Sequence, residues 1–167
     1  RNTAIIDRGE YKTVLNQEQL ETLICAIEKL GYFAFDLETT SLNAHIAEIV
    51  GVAIGIPDGT AYYIPVDHRY LGAPKQLSRD SVLERLKPLL ETESVGKIGQ
   101  NLKYDFNVLD KYDIKGRGIK HDTMLMAYSL DSSRPSFSLD ALANEFLDYQ
   151  TISYKEITGG GKNKLTF

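Results

Sequence analysis

Apolar and polar positions recur along this chain in patterns that name its elements in order. Tyr11 to Leu15 reads as an edge strand. Asn16 can cap the helix that follows, with Gln19 three residues on completing a capping box. Leu20, Leu23, Ile24, Ile27 and Leu30 recur at helical spacing, and Gly31 closes the run. Tyr32 to Thr40 then alternates with a period of two. Phe33, Phe35 and Leu37 share one face of a strand, and Ala34, Asp36 and Glu38 share the other. Glu48 to Pro57 is almost continuously apolar, as a buried strand is. Pro57-Asp58-Gly59-Thr60 has turn chemistry, and Ala61 to Val66 is the returning strand. These three strands are predicted antiparallel and sequential, with the acidic one first.

Beyond a Pro- and Gly-containing loop from Asp67 to Leu77, strands and helices alternate. Ser78 can cap a helix whose stripe is Val82, Leu83, Leu86, Leu89 and Leu90, and Pro88 should kink it or end it early. Val95 to Gly99 is a short strand, followed by a helix from about Lys103 to Tyr112. Asp122 can cap a helix through Leu130, with Met124, Leu125 and Tyr128 turned inward and Ala127 at the margin of that face. Ser138 can cap another, with Leu139, Leu142, Ala143, Phe146 and Leu147 as its stripe. Ser153 and Glu156 have the spacing of a capping box for one more short helix. Gly159 to Lys164 reads as a basic loop. The order predicts a mixed sheet with helices packed on it, with no repeat and no interdomain linker.

Composition narrows the class. At 167 residues, 43% hydrophobic and 25% charged, the chain has the make-up of one soluble globular domain. No apolar run approaches the roughly 20 residues of a membrane span, so no membrane partner is expected. The chain begins at Arg1 with no signal-peptide pattern, as an internal domain boundary would. Cys25 is the only cysteine. It excludes an internal disulfide and a cysteine-rich zinc site, and it fits a reducing cytosol. A net charge of −4 argues against broad duplex binding, yet leaves room for a narrow cleft whose acids are offset by divalent ions.

The candidate chemistry begins with Asp36 and Glu38, which project together from a strand end. Such a pair is either solvated at the strand's exit or a metal site, because buried like charges are costly without a cation. Asp105 lies near the start of a helix entered from the Val95–Gly99 strand. An acid there complements the helix dipole, and such junctions are also where α/β proteins place ligands. Taken together, the three oxygen donors suit Mg²⁺ or Mn²⁺ rather than zinc or copper. His45, His68 and His121 are scattered singly and read as surface or hydrogen-bonded residues. Asp122 reads as a helix cap. Gly159-Gly160-Gly161-Lys162 is no P-loop, since Asn163 follows the lysine and no strand precedes.

Phe35-Asp36-Leu37-Glu38-Thr39, with Leu42 behind it, resembles the first motif of the 3′→5′ exonucleases with four essential acids. Lys97-Ile98-Gly99-Gln100-Asn101-Leu102-Lys103-Tyr104-Asp105 is similar to their second. Tyr63-Ile64-Pro65-Val66, Arg85-Leu86-Lys87-Pro88-Leu89-Leu90, Arg117-Gly118-Ile119, Asp122-Thr123-Met124-Leu125 and Gly161-Lys162-Asn163-Lys164-Leu165-Thr166-Phe167 follow in family order. The ordered set resembles the proofreading 3′→5′ exonuclease domain of bacterial DNA polymerase I over nearly the whole chain.

That resemblance implies an α/β fold of ribonuclease-H-like type, a mixed five-stranded sheet flanked by helices, in a single domain over 1–167. It implies two divalent cations, Mg²⁺ or Mn²⁺, with Asp36 bridging both, Glu38 on one and Asp105 on the other. The cations would activate the attacking water and stabilise the leaving 3′ oxygen at the 3′ end of single-stranded or frayed DNA. Thr39, Leu42, Gln100, Asn101, Tyr104 and Tyr154 match DNA-contacting positions, with Leu42 as a wedge against the terminal bases. The expected setting is the bacterial cytoplasm, in a monomer with a polymerase domain on the same parent chain. Two departures stand out. The family's third motif, a Tyr-x-x-x-Asp helix, is expected soon after Phe167, which leaves the domain C-terminally incomplete. Tyr63-x-x-x-Asp67 has that spelling but reads as a strand interrupted by Pro65, in the wrong part of the chain. At Ser136 relatives often carry a basic residue, for which nearby Arg134 is the candidate substitute. The competing readings are a non-catalytic module bracing a polymerase and an RNase D-like RNA exonuclease. Retention of all three acids favours a catalytic domain.

Overall fold

The computed structural model describes residues 11–152. In chain order they form β1 (Tyr11–Thr13), α1 (Gln17–Leu30), β2 (Tyr32–Thr39), β3 (Ile49–Gly55), β4 (Ala61–Pro65), α2 (Arg79–Glu91), β5 (Gly96–Gly99), α3 (Leu102–Asp110), β6 (Ile119–Asp122), α4 (Thr123–Leu130) and α5 (Leu139–Leu147). The Ser153–Glu156 capping box and the glycine-rich loop lie outside the described residues, as does Tyr154.

The caps act as the sequence predicts. The Asn16 side chain accepts the Gln19 N–H at 3.0 Å, and the Gln19 side chain reaches back to the Leu15 N–H at 2.8 Å. At the other end of α1 the Gly31 N–H bonds the Ile27 carbonyl at 2.8 Å. Ser78 and Ser138 cap α2 and α5 in the same manner. Pro88 neither ends α2 nor prevents its last turn, since the helix continues to Glu91. The carbonyl that loses its donor belongs to Glu84, and both residues face solvent, so water can satisfy it.

The sheet has six strands in the order β1-β4-β3-β2-β5-β6. β2, β3 and β4 are antiparallel and sequential, as expected. β1 runs parallel to β4, and β5 and β6 continue parallel from β2. The sixth strand corrects the expected five. Ile119, Lys120 and His121 of β6 are exposed and carry no alternation, so an edge strand blunted by charge left no periodic signal. Phe33, Phe35 and Leu37 of β2, Val52 and Ile54 of β3 and Ile64 of β4 form one core with the apolar faces of α1 and α2. The other face of the sheet carries Ala34, Asp36 and Glu38, then Gly51, Ala53 and Gly55, then Ala61 and Tyr63.

α4 departs from expectation. Only Ala127 is buried, while Leu125 and Tyr128 are exposed and Met124 is half-buried. The helix is apolar almost all round, so its sequence could not say which side packs. In α5, Leu142 and Ala143 are buried and Leu139, Phe146 and Leu147 are exposed. No helix among the described residues is long and apolar enough to cross a membrane.

Candidate active site

Strand alternation puts Asp36 and Glu38 on the face away from the core, opposite Ala53 and Gly51 of β3. A register shift between Glu38 and Thr39 bends the strand just past the pair. On the other side, β5 leaves β2 after the Ala34–Ile98 pair, so the next residues of β2 lose their ladder partner. α3 starts in that gap. A Cβ at Gly99 would lie 2.9 Å from the Phe35 carbonyl and 2.4 Å from Leu102, so only glycine lets the helix enter this close. Asp105, on the first turn, then accepts the Leu37 N–H at 3.0 Å. The bond fills the unpaired donor between the two strand acids and brings the third acid beside them.

Burial pushes the Asp36 carboxyl above its ordinary range. Burial and then the charge of Asp36 do the same to Glu38. Asp105 is only 2% exposed and is pushed up to about 7, by burial first and then by Asp36, with the Leu37 N–H working against the rise. Asp36 is thus the charge that both other acids feel. Among the described residues no lysine or arginine forms an ion pair with any of the three. No group of three or more metal-binding side chains among those residues is placed to hold a single ion. An all-carboxylate donor set under mutual repulsion nevertheless suits hard divalent cations.

The acids face a cleft of about 1020 Å³. Leu42 stands on its rim, 97% exposed. The loop that carries Leu42 is tied down by Tyr104, whose hydroxyl bonds the Ser41 carbonyl at 2.5 Å and lies 2.6 Å from Thr39 Oγ1. Gln100 lines the cleft with its amide engaged. Its Nε2 donates to the Phe137 carbonyl at 2.7 Å, and its Oε1 accepts from Thr123 at 2.5 Å. Asn101 adopts a left-handed conformation at φ 57° and leaves its side chain out of the helix cap. In its place Asp122 accepts the N–H groups of Asn101 and Leu102 at 3.1 and 2.8 Å, and those of Met124 and Leu125 at 3.0 and 3.2 Å. One carboxylate therefore caps α4, as the sequence predicts, and also holds the start of α3. With four donors on it, Asp122 is no candidate ligand.

Thr39, Leu42, Gln100, Asn101 and Tyr104 thus join the three acids around one cleft, and Tyr154 lies outside the described residues. Met124, Phe137, Ser138 and Leu139 also line the cleft. The apolar pattern predicts Met124 and Leu139 inside and Ser138 at a cap, and the periodicity of α4 and α5 carries no signal of a cleft shared with β2. Arg134 is no free stand-in for a base at Ser136, since its guanidinium pairs with Glu145 and stacks on Phe146. His68 is hydrogen-bonded, as expected, to Tyr63. Cys25 is an exposed free thiol.

A family model described as 3′-5′ exonuclease matches residues 11–166. A DNA polymerase I of Pseudomonas aeruginosa is 43% identical over 167 residues, covering 99% of this chain. The chain spans 18% of that relative's length. Among solved structures, the POL domain of Pol1 from M. smegmatis, in complex with DNA primer-template and dNTP, is 22% identical with a TM-score of 0.68. It covers 83% of this chain, which in turn covers 23% of it. Brucella melitensis NrnC with bound Mg²⁺ is also 22% identical, with a TM-score of 0.56, covering 91% of this chain and 67% of its own. At these identities the two structures share the fold.

Proposed function

Since the chain belongs to the 3′-5′ exonuclease family, we propose that it is the proofreading domain of a DNA polymerase I. It removes nucleoside monophosphates from the 3′ end of single-stranded or frayed DNA, using two divalent cations, Mg²⁺ or Mn²⁺. The carrying observation is geometric: Asp36 and Glu38 share one face of β2, Asp105 is bonded to the Leu37 N–H between them, and all three acids line one open cleft. Asp36 would be the ligand shared by both cations, with Glu38 and Asp105 each serving one. When bound, the cations supply activation of water and stabilisation of charge on the leaving oxygen.

The chain's own groups do the rest. Asp105 has one oxygen committed to the Leu37 N–H, which fixes it against the strand that carries the other two acids. Asp105 must be ionised to serve as a ligand, and the opposing charge of a cation favours that form. Leu42 offers apolar contact to a terminal base, and Tyr104 and Thr39 hold its loop in place. Gln100 and Asn101 border the path of the strand, and Tyr154 is assigned an aromatic contact near the terminal nucleotides. Hydroxyls, apolar groups and cation-bound phosphates tolerate any base, as proofreading requires. A fourth acid and a tyrosine, on a Tyr-x-x-x-Asp helix beyond Phe167, would complete a site whose described acids do not close around one ion. The same reading gives the protein a bacterial cytoplasmic setting, as a monomer with a polymerase domain on the same chain.

The test uses the full-length protein and a 5′-labelled single-stranded DNA, with an RNA of the same sequence beside it. Stepwise Mg²⁺-dependent shortening of the DNA from its 3′ end, abolished by Asp36→Ala, is the expected result. No metal-dependent release from DNA, or release from RNA alone, overturns the reading.

A further inference from the structure

The structure assigns a role to a tyrosine that lies in one of the family-like stretches but is given no role there. We propose that Tyr63, held by His68, is a positioning residue for Glu38. Its hydroxyl faces the carboxylate from across β3 and steadies it for the cation on that side. The proposal rests on the metal-site reading above.

Register places the groups. Asp36 pairs with Ala53 and Ala53 with Tyr63, while Glu38 pairs with Gly51. Directly paired side chains share a face, so Tyr63 stands on the same side of the sheet as both acids. Its ring leans along the sheet over Gly51. A Cβ at Gly51 would lie 2.0 Å from the Tyr63 hydroxyl oxygen and 2.4 Å from Cζ, so any side chain there would displace the ring. The hydroxyl therefore occupies the place where a residue opposite Glu38 would begin its side chain. Cβ atoms of such pairs are about 4.5–5.5 Å apart, which puts the phenol within one side-chain length of the Glu38 carboxylate. The electrostatics agree. Burial chiefly, and then the charge of Glu38, push the phenol above its ordinary range.

The phenol is itself held. Tyr63 Oη and His68 Nε2 are 2.6 Å apart, with the two rings 5.7 Å between centroids. The His68 ring also meets Tyr70 edge-on at 6.0 Å. The backbone of His68 is clamped from both sides by one side chain: its N–H donates to Gln76 Oε1 at 2.9 Å, and its carbonyl accepts from Gln76 Nε2 at 2.8 Å. If His68 donates through Nε2–H, the phenol proton is left to point at the carboxylate, directly or through one water.

An unequal anchoring of the two flanking acids gives this pair its task. Asp105 is fixed by the Leu37 N–H. Among the described residues no group donates a hydrogen bond to the Glu38 side chain, and the Tyr63 hydroxyl lies over Gly51, the residue paired with Glu38.

Direct Mn²⁺ binding to the full-length protein, followed by electron paramagnetic resonance, tests the idea. The component removed by Asp36→Ala isolates this site from any other. Tyr63→Phe and His68→Ala should each weaken that component about tenfold or more, the scale of one hydrogen bond to a charged group. The double variant should be no weaker than Tyr63→Phe alone, and His68→Gln, which keeps an N–H donor, should recover most of the loss. Metal-free melting temperatures report any loss of packing separately. Unchanged Mn²⁺ binding in Tyr63→Phe, with Asp36→Ala still weakened, overturns the positioning role alone. Unchanged binding in Asp36→Ala overturns the metal-site reading and this role with it.

Discussion

Asp105 accepts the backbone N–H of Leu37 at 3.0 Å, across 68 positions of sequence, at the point where β2 has lost its neighbour β5. The bond joins two acids on a strand to a third on a helix. It makes Asp105 at once a structural acceptor and a candidate ligand, and the two roles can be separated.

Asp105→Asn keeps an oxygen for Leu37 and loses the charge. The metal-free protein should melt no lower than the parent at pH 8, because a buried charge near Asp36 has been removed. Exonuclease activity should nonetheless fall by about a hundredfold or more, the scale of removing a group that stabilises the transition state. Asp105→Ala loses both roles and should melt lower, leaving a buried N–H unsatisfied at a cost of about 1–3 kcal/mol. Thermal melts in EDTA beside nuclease assays separate the variants. Equal melting of the Asn and Ala forms would show that the Leu37 bond contributes nothing.

The pH dependence follows from the same residue. Asp105 is raised from 3.8 to about 7 in the folded protein, so between these values the folded state holds a proton that the unfolded state has lost. Its contribution is fully present below pH 4 and is lost as pH rises through about 7. Metal-free stability attributable to Asp105 should therefore decline across that window, and Asp105→Asn should flatten the decline. Divalent cations compete with the proton, so their apparent affinity should rise from pH 6 to pH 8 with proton release. Calorimetry in buffers of different ionisation enthalpy reads that release directly. An affinity independent of pH over this range would mean that Asp105 is already ionised there.

Asp122 holds the starts of two helices through four backbone donors. Losing one cap typically costs about 0.5–2 kcal/mol, and Asp122→Ala removes the acceptor for both, so roughly 1–4 kcal/mol should be lost. Asp122→Asn keeps one acceptor oxygen and should recover part of this. Denaturant titration gives the values. A loss below about 0.5 kcal/mol would show that water replaces the carboxylate.

Much of the site is local in origin and therefore legible from residues alone. Asp36 and Glu38 share a face because a strand repeats every two residues, and Asp105 sits on a first turn because a short strand and an asparagine precede it. The caps at Asn16, Ser78, Asp122 and Ser138 are read from single side chains and the apolar stripes behind them. β6 and the packed side of α4 were not legible, for opposite reasons: one is too polar to show a period and the other too uniformly apolar.

From its sequence alone this chain determined which residues are acids on a strand face, where its helices begin, and the family its ordered motifs resemble. Tertiary structure decided which of those residues meet. Asp105 reaches Leu37, Asp122 clamps the start of α3 as well as α4, Phe137 and Ser138 join the lining of the cleft, and Tyr63 lies over Gly51, the residue paired with Glu38. The physical reason is that periodicity and capping act within a few residues along the backbone. These contacts arise where β5 parts from β2 and where a strand lacks a side chain, and both are set by the packing of segments distant in sequence.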